Sequence, residues 1–361
     1  MNRFLRSTLM VLLIWFSAGW DALWAKNSSE LIYTEPFDLA SGGTTLTRAS
    51  QEGIVFANPA LLPLGGAYVR WIGLQLGVIA DTNLANSKST KLGEGDQGNV
   101  ANTLLSRSLH LGQTATLSLL NKNFAFSVFD RIEVDAAGSR FADGGLPAIE
   151  FGVEAYGGGL LSFATRPTRW FSVGMTAKYI FVGEPSILVP LADQEKIKKF
   201  AEDPQALKGD LKYGKGMGGD VGSLFLWQNP TVDLSLGLKV EDLGGTHIDN
   251  GQETIPQTIH TGLGLAIHGS TEVLHLSLDY RDAANAYTEE KTFKKIYMGA
   301  RLMIRQRLGF AVGLYQGIPT VGLRLDAFLF KIGLTAYGRE LGQYPGEKQR
   351  NLVMLYTSLG F

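Results

Sequence analysis

The sequence has no cysteine. That excludes disulfides, thiolate nucleophiles, cysteine-ligated zinc and a lipid-modified N-terminal cysteine, and it is compatible with an oxidising compartment. There is no basic excess either: Lys and Arg total 33 against 34 Asp and Glu, a net charge of −1. A nucleic-acid partner is therefore not expected. The five histidines are His110, His247, His260, His268 and His275, and none falls in an H-E-x-x-H or H-x-x-E-H spacing, so no metal is expected. Lys215 to Asp220 reads K-G-M-G-G-D and lacks the G-K-[ST] ending of a phosphate loop. Ser277 stands two residues from His275, but no nucleophile elbow or oxyanion motif accompanies them. The expectation is a chain that is not an enzyme and uses no cofactor.

Long hydrophobic runs are missing as well. The one apolar run near the N-terminus, Leu9 to Phe16, is too short to span a bilayer core of about 30 Å. With Arg3 and Arg6 before it and small residues up to Ala25 after it, residues 1–25 have the layout of a secretory signal peptide. Cleavage there would remove Arg3, Arg6 and Asp21 and bring the net charge from −1 to −2. No other segment approaches the length of a membrane helix.

What the chain has instead is period-2 alternation, repeated many times. In Thr231 to Asp242, Val232, Leu234, Leu236, Leu238 and Val240 alternate with Asp233, Ser235, Gly237, Lys239 and Glu241. Leu274, Leu276, Leu278 and Tyr280 oppose His275, Ser277, Asp279 and Arg281; Phe171, Val173, Met175, Ala177, Tyr179 and Phe181 oppose Ser172, Gly174, Thr176 and Lys178. These runs are near the nine to eleven residues that cross a bilayer at a tilt, longer than the usual soluble strand of about five to six. Fourteen such strands are expected: 67–80, 114–120, 124–134, 148–164, 170–182, 220–228, 231–242, 258–267, 272–282, 294–304, 308–316, 320–326, 328–337 and 351–361. The joins after odd strands are long, apart from 317–319, and those after even strands are short. Gly is abundant, at 44 residues. An all-β, fourteen-stranded antiparallel transmembrane β-barrel of the bacterial outer membrane accounts for this pattern, with both termini on the periplasmic side. A last strand ending in Phe361 resembles the C-terminal signal read by barrel assembly machinery, an expected partner alongside outer-membrane lipid.

The polar face of each strand is expected to point into the lumen. It carries Glu150, Glu154, Lys178, Asp220, Asp233, Lys239, Glu241, His260, His275, Asp279, Arg281, Lys295, Arg301, Arg324 and Lys331. An Arg or Lys facing hydrocarbon would cost about 2–4 kcal/mol at the midplane, which fixes the orientation. These residues either form a structural network or line a substrate path. Gly157, Gly158 and Gly159 mark a candidate weak point in the wall, or leave room for an internal segment. Val100 to Leu109 and Leu191 to Ala201 have helical texture within long joins.

One stretch does not alternate. Ala40 to Gly66 reads A-S-G-G-T-T-L-T-R-A-S-Q-E-G-I-V-F-A-N-P-A-L-L-P-L-G-G. Its glycines, prolines and small residues suit a compact irregular segment. With Asn58, Pro59 and Ala60 placed just before the first strand, it resembles the N-terminal region of the FadL-like long-chain fatty-acid transporter superfamily. G-M-G-G-D-V-G around Asp220, I-P-Q-T-I-H-T-G from Ile255 and Y-G-R-E-L-G from Tyr337 resemble the PorV-like and TraF-like branches. The resemblance implies a fourteen-stranded barrel with an N-terminal hatch in the lumen: residues 26–66 as hatch and 67–361 as barrel. It also implies passive uptake of a hydrophobic, fatty-acid-like small molecule. The PorV-like branch implies instead a surface scaffold that docks secreted proteins without transport.

Overall fold

The computed structural model describes residues 33–65, 70–82, 109–140, 147–183, 186–190, 213–249, 254–327, 329–340, 344–346 and 349–360. The expected signal peptide lies outside the described residues. So do the two loop helices, except that Leu109 is the first residue of a strand.

The described residues form sixteen strands: β1 (Arg70–Asp81), β2 (Leu109–Leu120), β3 (Phe124–Arg140), β4 (Pro147–Thr168), β5 (Phe171–Gly183), β6 (Ser186–Pro190), β7 (Tyr213–Gln228), β8 (Val232–Glu241), β9 (His247–Ile248), β10 (Thr258–His268), β11 (Glu272–Tyr280), β12 (Ile296–Ile304), β13 (Leu308–Tyr315), β14 (Ile318–Ala327), β15 (Phe330–Glu340) and β16 (Gln349–Gly360). Short β6 pairs with the end of β4, and β9 with the start of β7. The other fourteen form an antiparallel ring. Neighbours along the chain pair in order, β3 with β4 included, and the ladder between β1 and β16 joins first strand to last and closes the circuit. A bilayer offers no water to an open sheet edge, so this closure is what lets strands span it.

Side-chain alternation follows the ladder. Leu74, Leu76 and Val78 of β1, Met175 and Tyr179 of β5, Leu234 and Leu238 of β8, and Val321, Leu323 and Leu325 of β14 are exposed. Lys178, Lys239, Thr320 and Arg324, on the opposite faces of the same strands, are buried. The exposed apolar face is the lipid-facing surface of a transmembrane barrel. Trp170 and Trp227 are exposed near the short-turn end, where Trp170 stacks on Phe225 at 6.3 Å between ring centres. Aromatics at the rim suit an interfacial girdle.

Several strands outrun the alternation. β3 runs to Arg140 and β4 starts at Pro147, so the expected long join at 135–147 is mostly ladder. Residues 135–140, D-A-A-G-S-R, carry no apolar stripe: where the strand rises above the lipid, neither face needs one. β7 likewise begins at Tyr213, which places K-G-M-G-G-D in strand. Conversely, β11 ends at Tyr280, and Lys294–Lys295 lie in a 3-10 turn rather than in β12. The short β13–β14 join is explained by Gln316 and Gly317 at φ of 53° and 81°, the left-handed pair that a tight hairpin turn requires.

Leu263 sits at the middle of β10 on the exposed face. Leu263→Arg is expected to lower stability by about 2–4 kcal/mol, measured by denaturant unfolding after refolding into lipid vesicles. A loss well below that range would mean the residue does not face hydrocarbon.

Candidate functional site

Tyr33 to Gly65 lies against the inward faces of strands all around the ring. It starts with a single-turn helix, α1 (Pro36–Ala40), capped by the Glu35 carboxylate, which accepts from the amides of Phe37 and Asp38 at 2.8 and 2.9 Å. Burial, then the nearby Asp38, pushes the Glu35 carboxyl up to about 7. The folded chain therefore holds this proton more tightly than the unfolded chain, and the group subtracts stability as pH rises from its ordinary value of 4.5 through about 7. Gly42 and Gly43 then turn with φ of 70° and 69°. A side chain on Gly42 would collide with the carbonyls of Met298 and Leu314, so only glycine lets the turn touch the wall there. A 3-10 turn, Pro59–Leu64, closes the segment, and Asn58 caps it by accepting from the amide of Ala60 at 3.1 Å.

Its two halves meet different walls. The apolar half, with Ile54, Val55, Ala57, Ala60, Leu61 and Leu62, packs in one buried cluster with Phe129, Tyr156, Leu160, Ile180 and Leu224 of β3, β4, β5 and β7. The polar half meets charge on β11 to β15. Arg301 donates to Asp38 at 2.5 Å and to Ser41 at 2.7 Å. Asp279 accepts from the amides of Thr45 and Leu46 at 2.8 and 3.1 Å, while Arg281 donates to the Gly43 carbonyl at 2.9 Å. Arg324 and Arg301 stand 4.5 and 4.9 Å from the Phe37 ring centre, and Lys331 pairs with Glu52 at 2.5 Å. Asn58 ties the halves together: its Nδ2 donates to the carbonyls of Leu46 and Ser223 at 3.0 Å and of Leu238 at 3.3 Å. Pro59 and Ala60 reach β5, where Gly174 leaves room for Pro59 and Ser172 donates to the Ala60 carbonyl at 2.7 Å.

The remaining candidates form two further groups. Toward the long joins, Lys178 bridges Asp220 and Asp242, each at 2.8 Å, and Lys239 reaches Asp220 at 3.1 Å. His260 contacts Glu241 at 3.1 Å. Asp220, Glu241 and Asp242 could present oxygens within 4.8 Å of one another, but the two ammonium groups already occupy the gap. Beside the expected candidate Lys295, Asp282 makes an ion pair at 2.5 Å. Toward the short turns, Asp233 pairs with His268 at 2.9 Å, and His275 Nε2 has no hydrogen-bond partner. No hydrogen bond joins His275 to Ser277 among the described residues. Between this end of the segment and β8, β10 and β11 lies a cavity of about 680 Å³. Glu150 lies in β4, with its side chain outside the described set.

The three consecutive glycines of β4 pair without a register shift, Gly157 to Gly159 facing Asp130 to Val128 on one side and Phe181 to Tyr179 on the other. They make no bulge. Room for the segment comes from other glycines: Gly222 faces Asn58, Gly237 and Gly262 face Leu46, Gly299 faces Ser41, and Gly322 faces Ala40. Sequence reasoning passed over these. Their signal is glycine at the inward phase of a strand, as in T-G-L-G-L-A from Thr261. It also missed Thr320 and Thr335, which donate to the carbonyls of Ala40 and Pro36 at 2.8 Å each. A further network was missed, in which Arg339 of β15 reaches Glu133 of β3 at 2.8 Å and Glu154 of β4 at 2.5 Å, with Arg350, Asp135 and His110 alongside.

No family profile matches the chain, and no curated protein is significantly similar to it. Solved structures are similar in fold. The toluene transporter TbuX of Ralstonia pickettii superposes with a TM-score of 0.54 at 14% identity, covering 92% of this chain and 100% of that one. The toluene transporter TodX of P. putida gives 0.51 at 11%, covering 92% and 99%. A TodX mutant described as a monoaromatic hydrocarbon channel gives 0.56 at 11%, covering 91% and 98%. The fold is FadL-like. In this FadL-like barrel the inward faces of the wall are shaped around the N-terminal segment.

Asn58→Ala leaves three carbonyls without their shared donor and is expected to cost about 1–3 kcal/mol, read from the denaturant midpoint. Arg301→Met should cost more, about 3–5 kcal/mol, because it strands the buried Asp38 carboxylate. Adding Asp38→Asn to Arg301→Met should recover most of that loss; two independent, additive losses would show that the pair is not coupled.

Proposed function

We propose that the protein is an outer-membrane barrel for the passive uptake of hydrophobic small molecules, with residues 33–65 serving as its hatch. The observation that carries this reading is the fit between segment and wall: an irregular stretch packs in the lumen of a transmembrane barrel whose fold is shared, over nearly its full length, with the toluene transporters TodX and TbuX. A lumen filled by side chains and ion pairs cannot serve as an open water pore. A hydrophobic solute needs only a narrow, largely apolar route, and the apolar half of the segment against β3 to β7 supplies one kind of surface for it. Monoaromatic hydrocarbons and fatty-acid-like chains are the two ligand classes in view. Among the proposed lumen residues, Asp279, Arg281, Arg301 and Arg324 hold the hatch, while Lys178, Asp220, Lys239 and His260 brace the long-join end. Export by the N-terminal signal and insertion by barrel assembly machinery complete the proposal.

A scaffold of the PorV-like kind is favoured by a different observation. Met217, Phe293, Leu243 and Tyr344 are exposed at the long-join end, with Met217 and Phe293 at 75% and 76%. Such residues suit docking of a protein.

Expression in a strain with a tight outer membrane separates the readings. Uptake of labelled toluene, of a long-chain fatty acid, or of both should rise over an empty-vector control, and the arm that rises names the ligand class. Uptake unchanged in both arms, with secreted proteins lost from the surface of a deletion strain, would replace transport by the scaffold.

A further inference from the structure

The cavity of about 680 Å³ at the short-turn end has a chemistry that the uptake reading does not use. Its size is that of a small-molecule site, commonly about 300–1,000 Å³. Arg48 lines it and is the one exposed residue in the otherwise buried or half-buried run from Ser41 to Ser50. Among the described residues no hydrogen bond or ion pair engages the Arg48 guanidinium. Asp38 and Asp233 are the carboxylates whose field reaches it, and both are committed elsewhere, Asp38 to Arg301 at 2.5 Å and Asp233 to His268 at 2.9 Å. Arg301 and Arg324 add positive field at the same place. Lys122 and Arg166 stand at the rim, and Arg166 donates to the Gln228 side chain at 2.8 Å.

Two more polar atoms belong to residues lining this space and have no partner: His275 Nε2 and Thr47 Oγ1. Both residues are buried, at 5% and 8% exposure. A buried polar atom without a partner costs free energy comparable to a lost hydrogen bond, so such atoms beside an uncommitted cation point to a ligand. An apolar side comes from the hatch and the wall together, through Pro63, Leu64 and Leu226, and the lining is completed by Gln228, Ser235, Ser277 and Asp233, the last paired with His268. The cavity thus has a cationic side and an apolar side.

We propose that this cavity binds a small organic anion, a carboxylate on a compact apolar body, with Arg48 as its charge partner. The carboxylate accepts from the Arg48 guanidinium in the bidentate manner that planar fork favours, and the apolar body lies on Pro63, Leu64 and Leu226. Exchange is with the side of the membrane that the short turns face. The inference deepens the uptake reading by giving the lumen a second, charge-selective station, but its test does not depend on uptake.

The absence of native cysteine makes a thiol probe specific. Ser235 lines the cavity on β8. In the Ser235→Cys protein, purified in detergent, N-ethylmaleimide should label the new thiol, and benzoate should slow labelling several-fold while the neutral benzyl alcohol does not. Arg48→Gln in that background should abolish the benzoate effect, and Arg48→Lys should retain part of it. The heat-dependent gel shift of a folded barrel confirms that each variant is folded. Equal slowing by benzyl alcohol, slowing that survives Arg48→Gln, or a thiol that does not label at all would each overturn the proposal. A failure of toluene and fatty-acid uptake would leave the labelling result standing.

Discussion

Closure of the backbone ladder is the constraint on which everything else in this protein depends. A strand that crosses lipid must place every amide and carbonyl in a hydrogen bond with its neighbours, and fourteen strands do so here because the first, β1, meets the last, β16. The ladder then dictates alternation. Each residue that serves lipid leaves its neighbour facing inward, so Leu238 outside entails Lys239 inside, and Met298 outside entails Gly299 inside. The interior is in this sense a by-product of the exterior. Its charges cannot reach lipid and must find partners within the lumen.

They find them unevenly. Across β11 to β15 the partners belong to the N-terminal segment, through Asp38, Glu52 and the backbone of Gly43 to Leu46. Toward the long joins they belong to neighbouring strands, as where Lys178 and Lys239 pair with Asp220, Glu241 and Asp242. Where the second half of the segment lies on β3 to β7, the inner wall offers an apolar cluster against which it packs. One short segment satisfies both kinds of wall because its first half is polar and turns on glycine, while its second half is apolar and turns on proline.

The barrel was legible in the sequence because hydrocarbon imposes period 2 on every strand that crosses it, and T-V-D-L-S-L-G-L-K-V states that period without help from context. Strand ends were less legible for the same reason. Above the lipid the ladder continues through D-A-A-G-S-R and K-G-M-G-G-D, where nothing forces alternation. The inward phase of the charged residues could be read, but not their partners, since Arg301 and Asp38 are joined only by the fold. Gly157 to Gly159 drew attention as a cluster, whereas the glycines that accommodate the segment are scattered one or two to a strand. Arg48 carried no signal at all: its distinction is that its surroundings leave it uncommitted.

The contacts that seat the segment also set a timetable for assembly. Thr335 meets Pro36 across 299 residues of chain, Arg301 meets Asp38 across 263, and Arg281 meets Gly43 across 238. The polar half of the segment thus waits for partners made late in the chain, while its apolar half finds partners on the earlier strands β3 to β7. Contacts of such separation are slow to form, because the entropy of the intervening loop is lost before they return anything. Gly42, wedged against the Met298 and Leu314 carbonyls, leaves no slack for threading the segment into a finished ring. The ring that β1 and β16 close thus surrounds a segment whose polar contacts reach strands near the far end of the chain.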